Sequence, residues 1–231
     1  FKNIHLCEDE NDCKKDNDIS VTDVNTEILY IGENSNIRIT NTTFDNIHGN
    51  RGIIAKNGVN LKMINNTFRN GIFENGLIEV NTEQDVYGNI DIENSVFENL
   101  FSNNGPVLNI KNIEDNQYNQ KIIFTNSTFI NNSALYFGGV VYSVCQNTNK
   151  SVFFNGCNFI NNTAHFGNVA YSINKKNEPN FSNIEDLRNS EGDIVTNPSH
   201  LKFIDNPILN NISFVSGEIL PKGISCKDIN V

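Results

Sequence analysis

The chain has no tryptophan in its 231 residues, so the broadest ring available for stacking on sugars is missing. Lysine and arginine number only 17 against 27 acidic residues, for a formal net charge of −10. They are spread thinly and form no basic stripe, which argues against a nucleic-acid partner. No run of about 18 apolar residues occurs, so no membrane span is expected. No signal peptide opens the chain, and Phe1 reads as the start of a mature or excised fragment. No long segment follows the roughly 3.6-residue period of an amphipathic helix. The five cysteines include no CxxC pair and the four histidines no HxxxH. Neither a zinc site nor any other metal or cofactor is therefore expected.

What the chain has in abundance is asparagine, arranged in a unit that recurs five times. Aligned on Phe44, Phe68, Phe97, Phe129 and Phe159, the copies are spaced by 24, 29, 32 and 30 residues. Two residues after each Phe stands Asn46, Asn70, Asn99, Asn131 or Asn161. Three before it stands Asn41, Asn65, Asn94 or Asn126, with Gly156 in the fifth copy. Ahead of these lie apolar pairs: Ile37/Ile39, Leu61/Met63, Ile90/Ile92, Ile122/Phe124 and Val152/Phe154. Behind them come Gly52, Gly76, Gly105, Gly138 and Gly167, each followed by a second apolar run. A period in this range marks stacked repeats.

Within a copy the apolar residues alternate with a period of two, as in strands. Between the runs lie Asn, Gly, Ser and Thr, which tolerate turn geometry. One copy cannot bury its own apolar face, but copies stacked one strand spacing apart, roughly 4.8 Å, can. The expected fold is all-β: a right-handed parallel β-helix of about five to seven coils with caps at both ends, the hand following the rule for parallel crossovers. Phe then forms an interior stack. Asn supplies left-handed corners and amide ladders from coil to coil.

Residues 1–35 read as an N-terminal cap with a partial first coil, residues 36–174 as the β-helix, and residues 175–231 as a C-terminal loop and cap or the start of a following domain. Gln84–Tyr87, Ile113–Gln120 and Gln146–Lys150 read as exposed insertions, and Lys175–Asp193 as a polar loop. The acidic stretch Glu8–Cys13 lacks the alternation of an EF-hand loop and reads as a solvated cap rather than a calcium site. Cys7 and Cys13 are expected to form a local disulfide, and Cys145 and Cys157 a bridge between neighbouring coils, leaving Cys226 over. Eight sequons occur, at Asn41, Asn65, Asn126, Asn131, Asn149, Asn161, Asn180 and Asn211. With the cysteines they suggest a secreted, extracellular or cell-surface glycoprotein. A sequon buried in a ladder could not carry a glycan, so Asn149 and Asn180 are the expected acceptors.

Phe129-Ile-Asn-Asn-Ser-Ala with Gly138-Gly139-Val140, and less completely Phe159-Ile-Asn-Asn-Thr-Ala with Gly167-Asn168-Val169, resemble the repeats of the chlamydial polymorphic outer-membrane proteins. The first three copies keep Phe and Asn but lose the double glycine. The asparagine-rich composition, sequons and cysteines look more like the scaffoldins of anaerobic gut fungi, whose repeated modules act as cohesins that dock dockerin-bearing enzymes of the cellulosome. That resemblance implies a non-catalytic protein-binding module with a dockerin-like partner. A cell-surface adhesin or an autotransporter-like stalk is the alternative. A carbohydrate-active β-helix enzyme would need clustered carboxylates on adjacent coils. Here Asp91 and Glu93 are flanked by Lys62 and Ile64 on one side and Ile123 and Thr125 on the other, and Asp45, Arg69 and Glu98 share a mixed column.

Three outward columns are expected to change from charged to apolar at the fourth copy. Arg38, Lys62 and Asp91 give way to Ile123 and Phe153. Asp45, Arg69 and Glu98 give way to Ile130 and Ile160. Glu79 gives way to Val141 and Ala170. Contiguous exposed apolar area marks something that covers it. These six residues are the candidate partner site, with Phe153 and Ile123 as anchors, unless residues 175–231 fold back over them.

Overall fold

In the computed structural model the described residues are 2–5, 28–81, 87–113, 120–190, 195–196, 201–203 and 226–228. Three parallel sheets run the length of the repeats, and each copy contributes to all three. The first sheet stacks Asn36–Thr40, Asn60–Ile64, Asn89–Glu93, Ile122–Thr125, Val152–Asn155 and Asn180–Phe181. The second carries the Phe motif: Thr43–Gly49, Thr67–Arg69, Val96–Glu98, Thr128–Ile130 and Asn158–Ile160. It continues past a bend into Ile72–Phe73, Phe101–Asn104 and Ser133–Phe137. The third stacks Leu29–Ile31, Ile53–Ala55, Ile78–Asn81, Leu108–Asn112, Val141–Ser143, Ala170–Ser172 and Val195–Thr196. The register follows the repeat: Phe97 pairs with Phe68 on one side and Phe129 on the other. The fold is the expected parallel β-helix.

The aromatic column is interior. Phe44, Phe68, Phe97, Phe129 and Phe159 stack at centroid distances of 4.5, 5.4, 5.0 and 5.0 Å with planes within 9°. A second stack, Phe124, Phe154 and Phe181, meets the first edge-on. Stacked or edge-to-face rings each add about 0.5–1.5 kcal/mol beyond burial.

The corner asparagines behave as their chemistry requires. Asn41, Asn65, Asn94 and Asn126, and Asn46, Asn70, Asn99, Asn131 and Asn161, all have φ between 48° and 56°. Most other side chains would be strained there. Amide bonds cross between coils from Asn65 to Asn41 (3.3 Å) and from Asn99 to Asn70 (3.1 Å). A separate ladder of Asn36, Asn60 and Asn89 marks the start of the first sheet. The ladders lie outside: the sequon asparagines at these corners are exposed.

Inside the corner between first and second sheets runs a polar column, Asn66, Ser95, Ser127 and Cys157. Thr42 N–H donates to Asn66 Oδ1, Asn66 N–H to Ser95 Oγ and Ser95 N–H to Ser127 Oγ. Cys157 closes the column, its thiol reaching Asn155 O at 3.6 Å much as Ser127 Oγ donates to Thr125 O, and Phe124 O of the preceding coil at 3.5 Å. The expected Cys145–Cys157 bridge is therefore absent, and both are free, buried thiols. Cys145 follows the third sheet, where its sulfur accepts from the backbone N–H of Ile113 and Asn147. The two cysteines occupy different corners of the coil. Burial pushes the Cys157 thiol up to about 11.

Three further expectations change. Gln146–Lys150 is not merely an exposed loop: Thr148–Ser151 forms one helical turn, with Thr148 and Ser151 buried. Register does not end at Lys175. Asn180–Phe181 pairs with Phe153–Phe154, and Val195–Thr196 with Ala170–Tyr171, so a further partial coil closes over the fifth. At the other end Leu29–Ile31 forms the expected partial coil, but Lys2–His5 also joins the stack, pairing with Thr43–Gly49. Leu201–Phe203 pairs antiparallel with Cys226–Asp228. The expected Cys7–Cys13 disulfide, the acidic stretch 8–13 and the sequon at Asn211 lie outside the described residues, as do most of the insertions 84–87 and 113–120.

Candidate functional site

The charged part of the solenoid pairs with itself. Lys62 Nζ reaches Asp91 at 2.9 Å and Glu93 at 2.5 Å. Arg69 meets Asp45 at 3.0 Å, and Glu79 is held by Arg51 at 3.2 Å and Lys111 at 2.6 Å. The hydrogen bonds to Glu93 and then Asp91 raise the Lys62 ammonium above its ordinary value. These columns read as ion-paired walls.

Coils four and five differ. Ile123 and Phe153 are neighbours on the outer face of the first sheet, half-buried, with Lys121 Nζ 5.7 Å above the Phe153 ring. Ile130 and Ile160 are neighbours on the second sheet, and Ile160 is 44% exposed. Val141 and Ala170 are neighbours on the third sheet but face inward, fully buried in the core. That pair is a correction of register. Leu108 pairs with both Ile78 and Val141, so the outward column containing Glu79 continues as Asn109, Tyr142 and Tyr171. A one-residue slip exchanges the two faces of a strand. The six expected residues thus form three separate pairs on three sheets, one of them interior, and cannot make one surface. Residues 175–190 extend the end of the stack, Asn180–Phe181 pairing with Phe153–Phe154.

The corrected third column leads to a larger feature. Tyr142 and Tyr171 stack at 5.9 Å, and two residues further along each strand stand Val144 and Ile173, where the third coil has Lys111. Around the preceding glycine corner, Phe137 stacks on Phe166 at 5.7 Å. Phe137 also approaches Tyr171 at 4.6 Å and Tyr142 at 6.0 Å, so four rings form one contiguous group. His165 packs edge-on against Phe166, and Phe166 and Tyr136 are each 43% exposed. Burial raises both tyrosine phenols above their ordinary value, and the neighbouring Tyr171 phenol adds to this for Tyr142.

Local geometry explains why Phe137 joins this group. The fourth copy has nine residues from Phe129 to Gly138, where the others have eight from Phe to Gly. The extra residue appears as a bulge, the pairing shifting between Ser102↔Ala134 and Asn104↔Phe137. A bulge re-aims side chains. The corner itself needs glycine: Gly138 has φ of 64°, and a Cβ there would lie 2.0 Å from Val141 O. The charged-to-apolar change in the sequence pointed to the same coils but not to this face. The extra residue before Gly138 was its one visible signal.

Among the described residues no group of three or more His, Cys, Asp and Glu side chains is placed to hold a metal ion. No described helix is long and apolar enough to cross a membrane. No protein-family profile matches the chain, and neither a curated protein nor a solved structure does.

Proposed function

We propose that this chain is a non-catalytic protein-binding module whose docking surface is the aromatic face of coils four and five: Phe137, Tyr142, Phe166 and Tyr171, with Val144 and Ile173. The observation that carries the reading is the contiguity of those rings at the surface, beside coils whose equivalent positions hold ion-paired or amide side chains. The occupant is a protein rather than a glycan. Successive rings stack on one another along the coil axis with planes about 16° apart, so their faces between coils are already covered. Their edges and the tyrosine hydroxyls are what a partner meets. Apolar edges with a few hydroxyls suit a packed protein side-chain surface, where tyrosine is enriched among dominant contacts.

The finer reading is cohesin-like: a repeated scaffold module that docks dockerin-bearing secreted enzymes outside the cell. It rests on the resemblance of the asparagine-rich repeats, sequons and cysteines to scaffoldin modules, together with this face. The test is calorimetric titration of the full chain with purified dockerin modules from secreted fungal glycoside hydrolases. At least one should bind saturably at one site. A panel that gives no heat with any dockerin would remove the cohesin reading.

A further inference from the structure

Seven of the eight sequons lie in described residues, and their asparagines differ in exposure and hydrogen bonding. Asn149 is half-buried. Its Nδ2 donates to Lys176 O at 2.9 Å, while its Oδ1 is buried with no hydrogen-bond partner. The amide is thus enclosed between the fifth coil and the next. Asn180 donates its own Nδ2 to Asn149 O in the same seam. A sugar on Asn149 would separate the closing coil from the stack; one on Asn180, which is exposed, would compete with this hydrogen bond.

The corner sequons are outside. Asn65 Nδ2 is engaged with Asn41. Asn41, Asn126, Asn131 and Asn161 are exposed, and their side-chain nitrogens donate to no described residue. Asn41 accepts from Asn65, and Asn131 stands in its column between Asn99 and Asn161, which leaves Asn126 and Asn161. Above Asn126 the fifth copy has Gly156, whose missing Cβ leaves room for the Asn126 amide; a Cβ would lie 2.7 Å from Asn126 Oδ1. Below Asn126 stands Asn94, which is not in a sequon. Asn161 follows the last strand of the second sheet, so no described strand of that sheet lies above it. Both have left-handed backbones, φ 48° and 51°.

We infer that Asn126 and Asn161 are N-glycan acceptors and that Asn149 is not. The donor is a pyrophosphate-linked oligosaccharide, acted on by a transferase. A bond forms between Asn Nδ2 and sugar C1, the bond from C1 to the pyrophosphate oxygen breaks, the pyrophosphate leaves, and one amide proton passes to a base. Asn126 sits between the first and second sheets. Asn161 lies at the corner that follows Asn158–Ile160, before the stretch that leads to Phe166. No described sequon falls on the third sheet, so glycans at these positions leave the aromatic face open.

The test is secretion of the full chain from a glycosylating eukaryotic host, then peptide mapping after peptide-N-glycosidase release in heavy-oxygen water. Label is expected at Asn126 and Asn161 and absent at Asn149. Thr128→Ala and Thr163→Ala each remove a sequon while keeping its asparagine, and each should abolish one glycan with an unchanged melting temperature. A folded, secreted product in which either Asn126 or Asn161 is unmodified, or in which Asn149 carries sugar, overturns the inference.

Discussion

At Asn131 and Asn132 two neighbouring asparagines do different work. Asn131 is exposed at a corner with φ of 52°, while Asn132 is completely buried. Asn132 Oδ1 accepts from Leu100 N–H, and its Nδ2 donates to Phe97 O and Asn162 Oδ1, each at 3.0 Å. The corner role was legible in the sequence because it recurs in all five copies. The interior role appears only in coils four and five, where Ile47, Gly71 and Leu100 stand in the other copies, and was hidden by that brevity. Cys157 was misread for a similar reason: its column neighbours are serines, so spacing from Cys145 suggested a partner that packing denies. Phe129→Ala should cost about 3–5 kcal/mol in denaturant unfolding, since it opens a cavity between Phe97 and Phe159. Thiol titration should find Cys145 and Cys157 unreactive when folded and reactive in denaturant. A disulfide between them, found by non-reducing mass mapping, would refute that assignment. The Cys157 thiol holds its proton more tightly folded than unfolded, so between the usual thiol value near 9 and about 11 the unfolded chain binds fewer protons. Stability should therefore fall as pH rises through that window. In Cys157→Ser the part of the fall due to this thiol should vanish.

Individual strands show where reading by alternation succeeds and fails. In the first sheet Ile122 and Phe124 are buried and Ile123 and Thr125 are not, as the period of two requires. In the third sheet the run Val140-Val141-Tyr142-Ser143-Val144 is apolar at four of five places, so either phase fits the sequence. The structure buries Val140, Val141 and Ser143, and Tyr142 faces out. A buried run of mostly apolar residues carries no phase of its own, and here the glycine corner sets it. Val141→Ser should destabilise by about 2 kcal/mol or more, through lost apolar burial and a buried hydroxyl. Tyr142→Ser should cost much less, because the ring lies outside the core. Equal losses in the two variants, measured by thermal and denaturant unfolding, would restore the opposite register.

Over the whole molecule, the repeats build a continuous scaffold and vary only what they display. Coils two and three show carboxylates, lysines and arginines that pair across coils; coils four and five show apolar side chains on every sheet. Three sheets face in different directions, so one partner cannot cover all of these. The contiguous rings of Phe137, Tyr142, Phe166 and Tyr171 single out the third sheet and its corner. The most direct measurement of that claim compares two double variants against a dockerin that binds the unmodified chain. Tyr142→Ser with Tyr171→Ser should weaken binding by about tenfold or more for each ring while the melting temperature holds. Ile123→Ser with Phe153→Ser, on the first sheet, should leave affinity unchanged. Binding that survives loss of both tyrosines but fails with the first-sheet pair would place the working surface elsewhere and contradict the account.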